Sequence, residues 1–313
     1  MNILLWHVHG AWTTAFVSGK HRYLVPVTPF RGPDGRGRAQ TYDWPSSAVE
    51  VTPAQLRNEH VDAVVVQRPR ELDGLADDWL GHGRRIGRDV PAVYVEHNAP
   101  QGRIAEMRHP AADRRDLTLV HVTHFNALFW DAGATPTRVI EHGIPDPGYR
   151  YNGELPRSVV VVNEARRRNR VTGTDLLERF AAVAPLDLFG IDAEALGGRD
   201  VAQARLHEEM ARRRVYLHPI RWTSLGLSLI EAMQLGMPVV ALGTTEAPTA
   251  VPPAAGVVST CVDELAQALR AYVNDPELAR ATGQAAREAA LERYGLARFL
   301  NDWDQLLEEV TAR

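Results

Sequence analysis

Short apolar runs closed by turn residues alternate along the chain with longer segments whose apolar positions recur every three to four residues. That alternation predicts a parallel sheet covered by helices. In the first half the runs fall at Ile3–His7, Tyr23–Val27, Val61–Gln67, Ala92–Glu96, Thr118–Val122 and Arg138–Glu141. Each is rich in Val, Ile and Leu rather than alternating, as strands buried on both faces require. The segment from Phe30 to Ser47 carries Gly32-Pro33-Asp34-Gly35-Arg36-Gly37 and reads as a loop. Its glycines neither follow a strand nor open a helix, so they are not a dinucleotide fingerprint. A dense turn cluster, His142-Gly143-Ile144-Pro145-Asp146-Pro147-Gly148, ends this pattern. It restarts with strands at Val159–Val162, Leu186–Phe189, Val215–His218, Val239–Leu242 and Gly256–Ser259. Helices at Thr174–Ala184, Val201–Arg212 and Leu227–Leu235 separate them, and three more run from Val262 to the end. The expectation is an α/β protein of two doubly wound parallel-sheet domains with a cleft between them. Residues 1–150 form one domain, 151–295 the other, and 296–313 a helix that packs back on the first.

Composition narrows the function classes. The chain has 313 residues, 45% hydrophobic and 24% charged, an ordinary globular balance with apolar side chains enough for two cores. A net charge of −4 gives no field favouring nucleic acid or an anionic membrane surface. One cysteine, Cys261, excludes an internal disulfide framework and a cysteine-built zinc site. Apolar stretches fall far short of a membrane span, and Asn2-Ile3-Leu4-Leu5-Trp6 begins a strand without a cationic leader. A soluble cytoplasmic protein is expected. Of the 35 Lys and Arg residues only Lys20 is lysine and 34 are arginine, which reads as the bias of a GC-rich bacterial genome. It has a chemical consequence. Any anion site here is built from arginine, helix N-termini and backbone amides.

The stretch most specific in chemistry is Thr223-Ser224-Leu225-Gly226-Leu227-Ser228-Leu229-Ile230-Glu231-Ala232-Met233, followed by Gly236-Met237-Pro238-Val239-Val240. A glycine-bearing turn feeds a helix whose first N–H groups attract a phosphate. Glu231, the one carboxylate in that helix, is a suitable acceptor for a pair of sugar hydroxyls. This block resembles the donor-site signature of family 4 glycosyltransferases, retaining enzymes of the GT-B fold. Gly173-Thr174-Asp175-Leu176-Leu177, His142-Gly143-Ile144-Pro145, Asp275-Pro276-Glu277 and Arg298-Phe299 resemble further elements of that family.

The resemblance implies two Rossmann-like domains and transfer of a sugar from a nucleotide diphosphate sugar to a small-molecule or glycan acceptor. Retention would make the leaving phosphate itself the base. No metal or other cofactor, no nucleic acid and no membrane anchor is implied. Glu231 would bind the donor ribose; Arg166, Arg170 and Thr172, with Gly226 and Leu227, the diphosphate; Thr223, Ser224 and Leu225 the transferred sugar. Thr172 stands where the family has a phosphate lysine and Thr223 where it has a glutamate. His97, at the end of a buried strand, would touch the transferred sugar and join Glu231 as a catalytic-site residue. Gly10, Ala11 and Trp12 would form the loop between donor and acceptor. Between Gly190 and Val215 the chain is shorter than the family, and Leu196-Gly197-Gly198 is the candidate replacement for its base-holding loop.

Other clusters carry less. His7 and His9 point the same way along an extended strand, as a metal pair would, but no third ligand is identifiable. His121 and His124 are candidates for the acceptor side. Asp302-Trp303-Asp304 matches an Asp-x-Asp metal motif but lies in an amphipathic helix, so a solvated face is expected. Two alternatives to a transferase stay open: a protein that binds a nucleotide sugar without turnover, and a nucleotide-sugar epimerase on the same fold.

Overall fold

Burial on both faces selects the strands of the first unit: β1 (Asn2–Leu5), β2 (Arg22–Pro26), β3 (Ala48–Val51), β4 (Ala63–Val66), β5 (Ala92–Glu96), β6 (Thr118–His121) and β7 (Thr137–Val139). They form one sheet, parallel throughout, in the order β3-β2-β1-β4-β5-β6-β7. In the computed structural model, which describes residues 1–312, this unit runs from Met1 to Ile144 and takes in the segment from Leu296 onward. The Leu296–Thr311 helix turns Phe299, Trp303, Leu306, Leu307 and Val310 into the core formed by Trp12, Phe16, Val25 and Val120. Each such side chain contributes about 1.5–3 kcal/mol on burial. Arg298 ties the helix down by donating to the carbonyls of Glu141 and His142 at 3.1 and 2.5 Å.

The second unit, Pro145–Gly295, is built on β8 (Leu155–Val161), β9 (Leu186–Phe189), β10 (Arg213–His218), β11 (Val239–Leu242) and β12 (Gly256–Ser259). These pair in parallel in the order β12-β11-β10-β8-β9. Both strand orders are doubly wound, and each reverses direction once: between β1 and β4, and between β8 and β10. Loops at the carboxyl ends of strands flanking such a reversal form the crevice in which open α/β sheets bind ligands. Beyond β9 the sheet is extended by a single bridged residue. Arg199 bridges Phe189 in parallel, its N–H donating to the Leu188 carbonyl at 2.9 Å and its carbonyl accepting from Gly190 N–H at 3.1 Å. The second unit begins at Pro145 rather than at residue 151. Among the described residues no helix is long and apolar enough to cross a membrane.

Candidate functional site

In the second unit the loops after β8 and β10 are fastened to each other. Backbone N–H groups of Arg221 and Trp222 both donate to the Val171 carbonyl, at 2.9 and 3.2 Å. The Arg221 guanidinium grips Asp175 with two bonds of 2.5 and 3.0 Å. Gly173 makes the fastening possible: its φ is +70°, and a Cβ there would lie 1.9 Å from the Pro219 carbonyl oxygen. No other residue type tolerates both. Arg221 carries no signal of its own in the sequence; the contact with Asp175 is purely tertiary.

Gly226 then starts the Leu227–Leu235 helix against the His218 ring, whose Cε1 would be 2.7 Å from an added Cβ. No side chain caps this helix; Leu229 N–H donates to the Gly226 carbonyl at 3.0 Å, and the N–H groups of Leu227 and Ser228 before it are left for a ligand or solvent. Ser224 and Leu225 are buried and Thr223 half-buried in the approach to it. Ser228 Oγ lies 2.8 Å from Tyr216 Oη, which burial holds in the neutral phenol form. Glu231, one turn further along, is largely buried, and His207 Nε2 is 3.6 Å from its carboxylate. Sequence reasoning missed His207. It sits mid-helix at Gln203–Ala211, and only helix packing delivers it to Glu231.

The arginines after β8 divide into two kinds. Arg167 is paired with Glu164 at 2.5 Å and Arg170 with Asp175 at 3.0 Å. Among the described residues Arg166 and Arg168 have no carboxylate partner at ion-pair distance. Arg168 is half-buried, and burial together with the charge of Arg167 lowers its pKa from the ordinary guanidinium value. Arg166 lines an open depression of about 490 Å³ with Glu164, Arg167, Asp192 and Ala195. Thr172, expected on the diphosphate, is 1% exposed, and its hydroxyl donates to the Asn169 carbonyl at 3.1 Å and meets Thr174 Oγ1 at 2.9 Å. Its side chain braces the loop and does not face a ligand.

In the first unit the carboxyl ends of β1, β4 and β5 bring His9, Gln67 and His97 together. The His9 and His97 rings lie 4.0 Å apart, and Trp12 meets His97 edge-on at 5.0 Å. His97 Nε2 is 3.0 Å from Gln67 Oε1. Burial, reinforced by neighbouring His9 and His142, pushes the His97 pKa well below the usual imidazole value, and burial takes His142 to about 3. Gly10 and Ala11 open the Gly10–Val17 helix rather than a loop. Trp12, expected in that loop, is a core residue at 1% exposure, stacked on Phe16 and edge-on to Trp303. His7 and His9 do not form a pair: His7 Nδ1 lies 3.1 Å from the Gly37 carbonyl, whereas His9 packs on His97. His121 is fully buried with neither ring nitrogen hydrogen-bonded; His124 is exposed. Trp303 is buried, while Asp302 pairs with Arg298 and Asp304 with Lys20 and His21. No group of three or more His, Cys, Asp and Glu among the described residues is arranged to hold a metal ion.

Comparison with known proteins places this geometry. Residues 196–289, which include the Leu227–Leu235 helix and Glu231, match the family described as "Glycosyl transferases group 1". By sequence, no curated protein matches the chain. Among solved structures, sucrose-phosphate synthase from Thermosynechococcus elongatus is similar with a TM-score of 0.72 at 15% identity, over 100% of this chain and 99% of that one. HepE from Anabaena in complex with UDP follows at 0.70 and 14% identity, over 99% and 100%. TarM aligns at 0.61 and 14% identity over 78% of this chain, which spans only 54% of TarM. The likeness in shape and the two doubly wound parallel sheets together give the chain the GT-B fold.

Proposed function

We propose that the chain is a metal-independent, retaining glycosyltransferase that takes its sugar from a nucleotide diphosphate donor held by the second unit. The observation that carries the reading is the coincidence of three features at one strand-order reversal. They are an uncapped helix N-terminus at Leu227, a largely buried carboxylate at Glu231, and two unpaired arginines after β8. A diphosphate suits the first and third, and ribose hydroxyls suit the second. Arg166 and Arg168 offer the leaving diphosphate positive charge, while Arg170 closes the loop through Asp175. Thr223, Ser224 and Leu225 would face the transferred sugar. With no carboxylate at Thr223, the leaving phosphate serves as base and the protein contributes positioning and electrostatics.

The buried, internally bonded Thr172 in the place of a phosphate lysine favours a second reading, donor binding without turnover. Slow release of free sugar from uridine, guanosine or adenosine diphosphate sugars decides between them. Release that survives EDTA is expected. Binding without release supports the second reading, and activity abolished by EDTA overturns metal independence.

A further inference from the structure

Glu231 is a carboxylate short of donors. It lies largely buried in the Leu227–Leu235 helix, and among the described residues neither of its oxygens accepts a hydrogen bond. The hydroxyls beside it are engaged with each other: Tyr216 Oη and Ser228 Oγ lie 2.8 Å apart. A largely buried carboxylate without donors is costly, so the site is complete only with a ligand that brings them. One protein group stands ready to share that task. The Gln203–Ala211 helix packs against the Leu227–Leu235 helix and carries His207 on the same face as buried Met210 and Ala211. His207 Nε2 is shielded from solvent, has no hydrogen-bond partner, and stands 3.6 Å from Glu231 Oε2, just outside hydrogen-bond range. A carboxylate only accepts, and a bare nitrogen lone pair in that place would repel it. Nε2 must therefore carry the hydrogen.

We infer that His207 is a positioning residue whose Nε2–H clamps Oε2 of Glu231 and so presents Oε1 to the ribose hydroxyls of a nucleotide. The inference rests on the proposed function in one respect: that reading makes the hydroxyl-bearing ligand a ribonucleotide. A carboxylate with no fixed partner turns about its last side-chain bond, and its lone pairs meet a hydroxyl in only some orientations. An N–H on one oxygen fixes the carboxylate plane and aims the other oxygen. His207 touches no substrate atom in this scheme; it acts through Glu231. A nucleotide without ribose hydroxyls gains nothing from the clamp. His207 therefore governs the preference for ribose over its deoxy forms, and not the hold on the diphosphate.

Calorimetric titration of the full chain tests this with uridine, guanosine and adenosine diphosphates and the 2′,3′-dideoxy counterpart of each. For a nucleotide that binds, the wild type should prefer the ribose form by at least about 10-fold, the scale of a charged hydrogen bond. His207→Leu should cut that preference roughly fivefold or more, with the dideoxy affinity unchanged. His207→Gln, which keeps an N–H donor, should restore it, and in a Glu231→Gln background His207→Leu should add nothing. A preference that survives His207→Leu but is lost in Glu231→Gln overturns the inference and leaves the donor reading intact. A second measurement needs no ligand. At about pH 8, where an ordinary histidine is neutral, a long-range 1H–15N correlation spectrum of the 15N-labelled chain should show His207 as Nε2–H, its signals assigned by their loss in His207→Gln. An Nδ1–H pattern overturns the inference. A wild type that binds none of the three nucleotides overturns the donor reading and the ribose role together, and the spectrum then decides the clamp alone.

Discussion

Arg167 and Arg168 are neighbours with opposite fates. The first is exposed and spends its charge on Glu164, whereas the second is half-buried with no carboxylate at ion-pair distance among the described residues. An uncompensated guanidinium out of water gains most from an arriving anion. Charged hydrogen bonds contribute roughly 1.5–3 kcal/mol, so Arg168→Gln is expected to weaken nucleoside diphosphate binding by about 10-fold or more. Arg167→Gln should weaken it less than about twofold, since its charge is already paired. Calorimetric titration of both variants checks this, and equal losses would contradict the division. The single-lysine composition thus acquires a position: Lys20 is held by Asp304 in the first unit, and the anion-seeking charges of the second unit are arginines.

At the scale of elements, the sequence was legible where periodicity and punctuation agree. Leu186–Phe189, Leu227–Leu235, Val239–Leu242 and Gly256–Ser259 lie where the apolar runs place them. The strand at Ala48–Val51 was not legible. Four residues with Glu50 among them look like loop, and only the sheet edge, where Glu50 reaches Arg31, tolerates that. The helix expected over Thr174–Ala184 is shorter, Leu177–Ala181, after a tight turn at Thr174–Leu176 forced by the Gly173 fastening. In the candidate site, Glu231 and the helix start were legible because the residues carry the chemistry in their own type and spacing. His207, Arg221 and the buried Thr172 were not, because their roles come from partners distant in sequence. The fastening itself can be tested. Gly173→Ala combines a left-handed backbone with a collision against Pro219, and such strain alone costs about 1–3 kcal/mol. Denaturant unfolding should show the second unit destabilised by at least that amount; an unchanged midpoint would contradict the close approach.

Over the whole molecule, neutral imidazoles are concentrated in the first unit. Burial lowers the pKa of His9, His97, His121 and His142 there, with His121 at about 4, and of His218 in the second unit to about 4. Below the ordinary value of 6.5 the unfolded chain binds protons that the folded chain refuses. Stability is therefore full above that pH and falls as pH drops toward 4, by roughly 1.4 kcal/mol per strongly shifted imidazole for each pH unit. The first unit should lose its protection sooner than the second when hydrogen exchange at about pH 7.5 is compared with about pH 5.5, the window in which only histidines begin to charge. Equal losses would mean that the histidines are not buried as neutral rings. The central claim concerns the second unit, that Glu231 and the Leu227 helix start hold a nucleoside diphosphate. Its most direct test is calorimetric titration of the wild-type chain and Glu231→Gln with uridine, guanosine and adenosine diphosphates. Saturable binding of at least one by the wild type, weakened roughly 10–100-fold in the variant as loss of a charged hydrogen bond requires, is the predicted result. Binding of none of the three, or equal affinity in the variant, would contradict it.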